Sequence, residues 1–174
     1  MAKYQGTGSV STLDFKKVKY VGKTKGGKAL TITLTDAINM GNIDWTFAEK
    51  GETVAEVVFT ACYDNTDEAA TSTTEPWTVE TEAGITEGAD EIICGVGIFY
   101  IGENAVALTR GGGKFTVTRE FRNINADGDR GPVKGRIALD ASTATLTLSA
   151  LQILTKITDL YPAINTVTAQ GGNA

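Results

Sequence analysis

Apolar and polar residues alternate with period two through most of the chain, the signature of strands with one face in a core and the other toward solvent. Leu30, Ile32 and Leu34 alternate with Thr31, Thr33 and Thr35, and Val57, Phe59 and Ala61 with Glu56, Val58 and Thr60. Phe115 and Val117 are interleaved with Thr116, Thr118 and Glu120, and Leu146, Leu148 and Ala150 with Thr145, Thr147 and Ser149. Further strands are predicted over residues 15–21, 77–82, 92–101 and 152–158. Clusters at Gly26-Gly27, at Gly111-Gly112-Gly113 and over 125–131 predict the turns between strands. Helix is confined to short turns over 35–40 and 158–164. Residues 64–91 are too polar for a core element, apart from a short piece around Trp77 and Val79, and predict a long acidic loop or arm. Residues 170–174 read as a frayed tail.

The local recipe Thr24-Lys25-Gly26-Gly27 followed by Leu30 and Ile32 returns as Thr109-Arg110-Gly111-Gly112 followed by Phe115 and Val117. After each comes another threonine-rich strand, over 53–61 and 142–150, so a pair of related β-hairpin units is predicted. The 174 residues and 18.3 kDa suit one domain, 1–174, large enough for a real core. The predicted fold class is mainly β, a sandwich or barrel-like domain.

Charge adds a feature that the strand pattern lacks. The net charge is −5, but residues 1–28 carry seven lysines against one acid, while 64–91 carry nine acids and no base. Residues 110–136 carry seven bases against three acids. Segregation of this kind lets copies of one subunit pair basic with acidic edges and set their register, although blocks of like charge also serve simply as solvated loops.

Chemistry is thinly represented. With no histidine, Ser-His-Asp and Cys-His catalysis, His-ligated zinc and a histidine pH switch are excluded. Cys62 and Cys94 lie in apolar surroundings and read as reduced thiols. Nothing resembles a signal peptide or a membrane span, which points to a soluble chain made in the cytosol. Residues 125–131 alternate oxygen ligands as a calcium loop would, but Arg130 and Arg136 stand where an EF-hand needs glycine and a bidentate acid, so a tight turn is expected. Gly111-Gly112-Gly113-Lys114 lacks the Walker spacing and is read as a hairpin bend. Trp45, Phe47 and Trp77 are read as packing anchors rather than as a sugar or base platform. No catalytic residue emerges, and neither a cofactor nor a metal is expected.

The run Leu108-Thr109-Arg110-Gly111-Gly112-Gly113-Lys114-Phe115, continued by Arg119-Glu120-Phe121-Arg122-Asn123-Ile124 and Ala126-Asp127-Gly128-Asp129-Arg130-Gly131-Pro132-Val133-Lys134-Gly135-Arg136, resembles the major tail, or tail tube, proteins of long-tailed bacteriophages. Residues 54–61 leading into Tyr63-Asp64, and residues 143–151 as a closing strand, share the resemblance. It implies a subunit that forms hexameric rings stacked into a hollow tube through which DNA passes. The implied partners are other copies of the chain, tape measure and tail terminator proteins, and transient non-specific DNA in the lumen, with no membrane. The implied location is the virion tail, assembled in the host cytoplasm.

In such a tube, closure between subunits removes exposed strand edges, and the threonine-rich faces become the wall of the bore. The lumen-facing candidates are Thr31, Thr33, Glu56, Thr60, Thr116, Thr118, Glu120, Thr145 and Thr147. A wall of hydroxyls and sparse acids lets DNA slide, whereas one dense in lysine and arginine holds phosphates. Six copies carry roughly −30, which repels the duplex toward the axis. The interface candidates pair the basic N-terminal segment with the acidic arm: Lys16, Lys17 and Lys19 against Glu68, Glu75, Trp77 and Glu80. The rival readings are a β-sandwich module binding carbohydrate or calcium through Trp45, Trp77 and the acidic loop, and another virion structural protein such as a capsid decoration.

Overall fold

A computed structural model describes residues 3–45, 47, 49, 51–64, 74–89, 92–106, 109–151 and 153–167, with backbone alone at 94, 96 and 111. The fold is mainly β. Strand β1 (Lys3–Gly6) is followed by a 3-10 turn (Thr12–Asp14), β2 (Lys16–Thr24), β3 (Ala29–Asn39), β4 (Ala55–Ala61), β5 (Trp77–Thr81), β6 (Ile93–Ile101), β7 (Asn104–Val106), β8 (Thr109–Asn123), β9 (Ile137–Ala150), helix α1 (Ile157–Leu160) and β10 (Ile164–Val167).

The strands β7-β6-β2-β3-β4-β9-β8 form one antiparallel path that curls into a near-closed barrel. Its two ends meet where β6 passes β8, with the carbonyl of Gly95 4.0 Å from where a Cβ on Gly112 would sit. Strand β3 is shared along its length: Leu30 to Leu34 pair with β5, and Ala37 to Asn39 pair with β4. The small β1–β10 sheet stands apart from this path.

The core follows the alternation. Val18, Leu34, Val57, Phe59, Phe99, Ile101, Leu146 and Leu148 are buried, and Leu160 and Tyr161 join them from α1 and the residue after it. Each such side chain contributes roughly 1.5–3 kcal/mol by leaving water. Asn39, also buried, fixes α1 to the barrel by donating to the carbonyl of Leu160 at 2.9 Å and accepting from the Gly41 amide at 2.8 Å.

Several local expectations are corrected. Residues 35–39 are strand and not a helical turn, because Ala37, Ile38 and Asn39 find partners in β4 and Lys16 pairs with Ala37; tertiary pairing outweighs local propensity here. Over 152–158 there is no strand among the described residues: the chain turns, buries Ile153 and enters α1, which begins before the expected 158 and gives way to β10 at Ile164.

The two glycine pairs of the echo do different work. Gly26-Gly27 makes the β2–β3 turn, with Gly27 at φ 88° and the Thr24 hydroxyl accepting from the Lys28 amide at 3.1 Å. Gly111-Gly112-Gly113 lies inside β8 and bends nothing back. The missing side chain there lets other groups in, since a Cβ on Gly113 would overlap the Phe99 ring and sit 2.6 Å from the Thr147 carbonyl. The β8–β9 turn comes later, over 124–136.

Gly113→Ala should therefore cost about 1–3 kcal/mol by overpacking, read as a lowered denaturation midpoint. Gly131→Ala, with nothing within 4 Å of its would-be Cβ, should be close to neutral. Equal effects at the two positions would contradict this packing.

Candidate functional site

Two features of the β4–β9–β8 sheet stand out, an outer face of hydroxyls and an arm that leaves the barrel. Register builds the first. Thr60 lies opposite Thr145 and Thr145 opposite Thr116, so three threonines form a row across three strands. The Thr145 hydroxyl donates to the Thr116 carbonyl at 3.5 Å. One row along, Val58, Thr147 and Lys114 align; in the other direction Thr143 faces Thr118 and Ala141 faces Glu120; at the far end Glu56 faces Ser149. The alternate positions Val57, Phe59, Leu146 and Leu148 are buried on the opposite face.

Thus Glu56, Thr60, Thr116, Thr118, Glu120, Thr145 and Thr147 share one face. Thr31 and Thr33 do not belong to it. They lie on β3 between β2 and β5, with Thr33 in a row between Lys19 and Thr78 and only 8% exposed.

Beyond Thr145, β9 loses β4 and keeps β8 as its partner, so residues 118–143 project as a two-stranded arm. Glu120 pairs with Ala141 and Phe121 with Leu139, leaving Asp140 as the extra residue of a β-bulge. The bulge turns Leu139 onto the face of Phe121, and Asn123 and Ile137 follow on that face by alternation. It is the continuation of the core-facing side of β8, yet Phe121 is 64% exposed, Ile137 54% and Leu139 46%. Behind it, Arg122 bridges Asp140 at 2.8 Å.

A polar plug separates this bare face from the core. Glu75 accepts from the Tyr63 hydroxyl and from Trp77 Nε1, both at 3.1 Å. The Trp77 ring packs against Phe115 in a tilted arrangement, centroids 5.7 Å apart and planes at 60°, and the Arg119 guanidinium lies 5.9 Å from the Trp77 ring. The nearby Ser142 hydroxyl first, and then Tyr63, Trp77 and the charge of Arg119, lower the Glu75 carboxyl below its usual range against the opposing effect of burial, although Ser142 Oγ itself lies outside hydrogen-bond geometry. Burial first, and then the hydrogen bond and charge of Glu75, push the Tyr63 hydroxyl up. Cys62 is a free, half-buried thiol pushed up by burial and by Asp36.

The remaining interface candidates are dispersed. Lys16 is engaged within the chain, 2.9 Å from Asp159 and 3.2 Å from the Thr158 carbonyl. Lys19 lies over the Tyr100 ring at 5.5 Å, Lys17 and Glu80 are exposed, and Glu75 and Trp77 belong to the plug. Glu68 and the side chain of Cys94 lie outside the described residues, as do Leu108, the greater part of 64–73 and the tail 170–174.

In the 125–131 loop, Asp129 accepts from the Ala126 amide and from Arg136, at 2.7 and 2.8 Å, and so caps the turn. Among the described residues no cluster of acids and cysteines is arranged to hold a metal. The bare arm face escapes sequence reading, although apolar residues flanking both sides of a polar turn, at 121, 124, 137 and 139, are the signal that marks it. No family model, curated protein or solved structure matches this chain.

Because its folded pKa is lowered, ionised Glu75 contributes stability that is fully present above the unfolded carboxylate pKa, roughly 4.3, and is lost as pH falls through the lower folded value. Glu75→Gln should lower the thermal midpoint at neutral pH, and the gap to the parent should close as pH drops below about 4. A gap that is constant with pH would contradict the role given to the charge.

Proposed function

We propose that this chain is a structural subunit that assembles with copies of itself into stacked hexameric rings, forming a hollow, phage-type tail tube that conducts DNA. The observation carrying this reading is the β8–β9 arm: a two-stranded element with a bare apolar face and an unpaired outer edge is not stable alone in water and is completed by a neighbour. The hydroxyl face supports the second half of the reading. Its rows present threonine with few charges, and such a surface offers DNA phosphates no dense set of cations to displace counterions. The bore-lining residues are Glu56, Thr60, Thr116, Thr118, Glu120, Thr145 and Thr147, and the working location is a virion tail bearing tape measure and terminator proteins. The carbohydrate-platform reading is less favoured, since Trp77 is packed against Phe115 and hydrogen-bonded to Glu75.

Sedimentation and negative-stain microscopy over a rising concentration series test the proposal. Rings or tubes are expected, and a single monomeric species at every concentration would overturn it. In assembled tubes, the triple variant Thr60→Lys, Thr116→Lys, Thr145→Lys should retain duplex DNA at low salt and release it at high salt, whereas the parent retains none. Equal retention by both would remove these residues from the bore.

A further inference from the structure

We infer that the arm of one copy seats in an apolar groove at the opposite end of β9 on the next copy, so that β9 spaces successive subunits along the tube. This rests on the self-assembly reading and names the two surfaces that join. The groove, about 370 Å³, is lined by Trp45, Phe47, Leu151, Ile153 and Leu154. Phe47 is 79% and Leu154 68% exposed, so the groove is framed by largely exposed apolar side chains. Its base is firm: Trp45 Nε1 donates to the Tyr161 hydroxyl at 3.2 Å, and Ile153 is buried.

The occupant is argued from shape, charge and position. The arm offers Phe121, Ile137 and Leu139 on one face; together these expose on the order of 300 Å² of apolar surface, within the size range of an interaction patch. Exposed Arg130 and Lys134 stand at the arm's tip beside exposed Asp127, a net +1, while exposed Asp44 and Glu49 flank the groove residues Trp45 and Phe47 in sequence and half-buried Lys156 follows Thr155, a net −1. None of these six takes part in an ion pair within the chain among the described residues. The opposite net signs steer knob toward hole and disfavour arm-to-arm contact.

Arm and groove are different patches on one molecule, so their union is heterologous and propagates as a stack instead of closing as a twofold dimer. The two patches lie at the two ends of β9. From Leu139 to Leu151 the chain climbs roughly 40 Å at about 3.3 Å per residue, which sets the expected axial repeat.

The test uses the full chain. Phe121→Asp on the arm and Leu154→Asp in the groove alter exposed side chains and should leave the monomer's circular dichroism and melting midpoint unchanged. Each should halt assembly short of stacks under conditions where the parent forms tubes with a repeat near 40 Å. The double variant Leu139→Cys, Leu154→Cys should give a ladder of covalent multimers on mild oxidation, beyond anything formed by either single variant. Folded Asp variants that stack to parental length, with no ladder from the double variant, would overturn the inference while self-assembly stands. A parent that never assembles would instead overturn the proposed function, and this inference with it.

Discussion

The hydrogen-bonded ladder between β8 and β9 runs from the interior of the barrel into open solvent without changing partner, and most of the molecule's organisation depends on it. At one end it holds Leu146 and Leu148 in the core and sets the threonine rows of the outer face. At the other it carries Phe121 and Leu139 past the last strand that could cover them. Pairing of backbone groups is cooperative along such a ladder, so the buried end stiffens the exposed one. An isolated hairpin of this length is marginal in water, and here it is held because half of it is core.

The plug at the base of the arm marks the border between the two regimes. Glu75, Trp77 and Arg119 fill the space between β5 and β8, with Trp77 donating to Glu75 and Arg119 lying over the Trp77 ring. Without them the core would continue directly into the arm's apolar side. The plug lets the barrel be a finished hydrophobic unit while the arm keeps an apolar face in reserve.

What the sequence discloses follows from which interactions are local. The period-two runs at Leu30 to Leu34, Val57 to Ala61 and Leu146 to Ala150 are legible because a half-buried strand needs the same alternation whatever its partner. The hairpin turn at Gly26-Gly27 is legible for a similar reason. Gly111 to Gly113 misleads because glycine serves two ends, reversal of the chain and close approach of another group, and only the position of Phe99 distinguishes them. Residues 35–39 mislead because the pairing that makes them strand comes from β4 and β2, far away in sequence. The hydroxyl rows were largely readable strand by strand, but the burial of Thr33 depends on its cross-strand neighbours Lys19 and Thr78. The bare arm is marked only by apolar residues on both sides of a polar turn, a pattern shared by any buried hairpin, and the shift at Asp140 that turns Leu139 toward Phe121 leaves no local mark.

The barrel's closure has a consequence of its own. At Gly95, on the stretch of β6 that β7 does not pair, and at Gly112 the two sides of the barrel come close without a ladder joining β6 to β8 among the described residues. A wall zipped all round would have a girth fixed by its hydrogen bonds, whereas one line of mere proximity acts as an expansion joint. Small changes in curvature can be taken up there without breaking a backbone bond. In the proposed tube, such a joint would let one polypeptide be laid in courses of slightly different radius along the body and at the two ends.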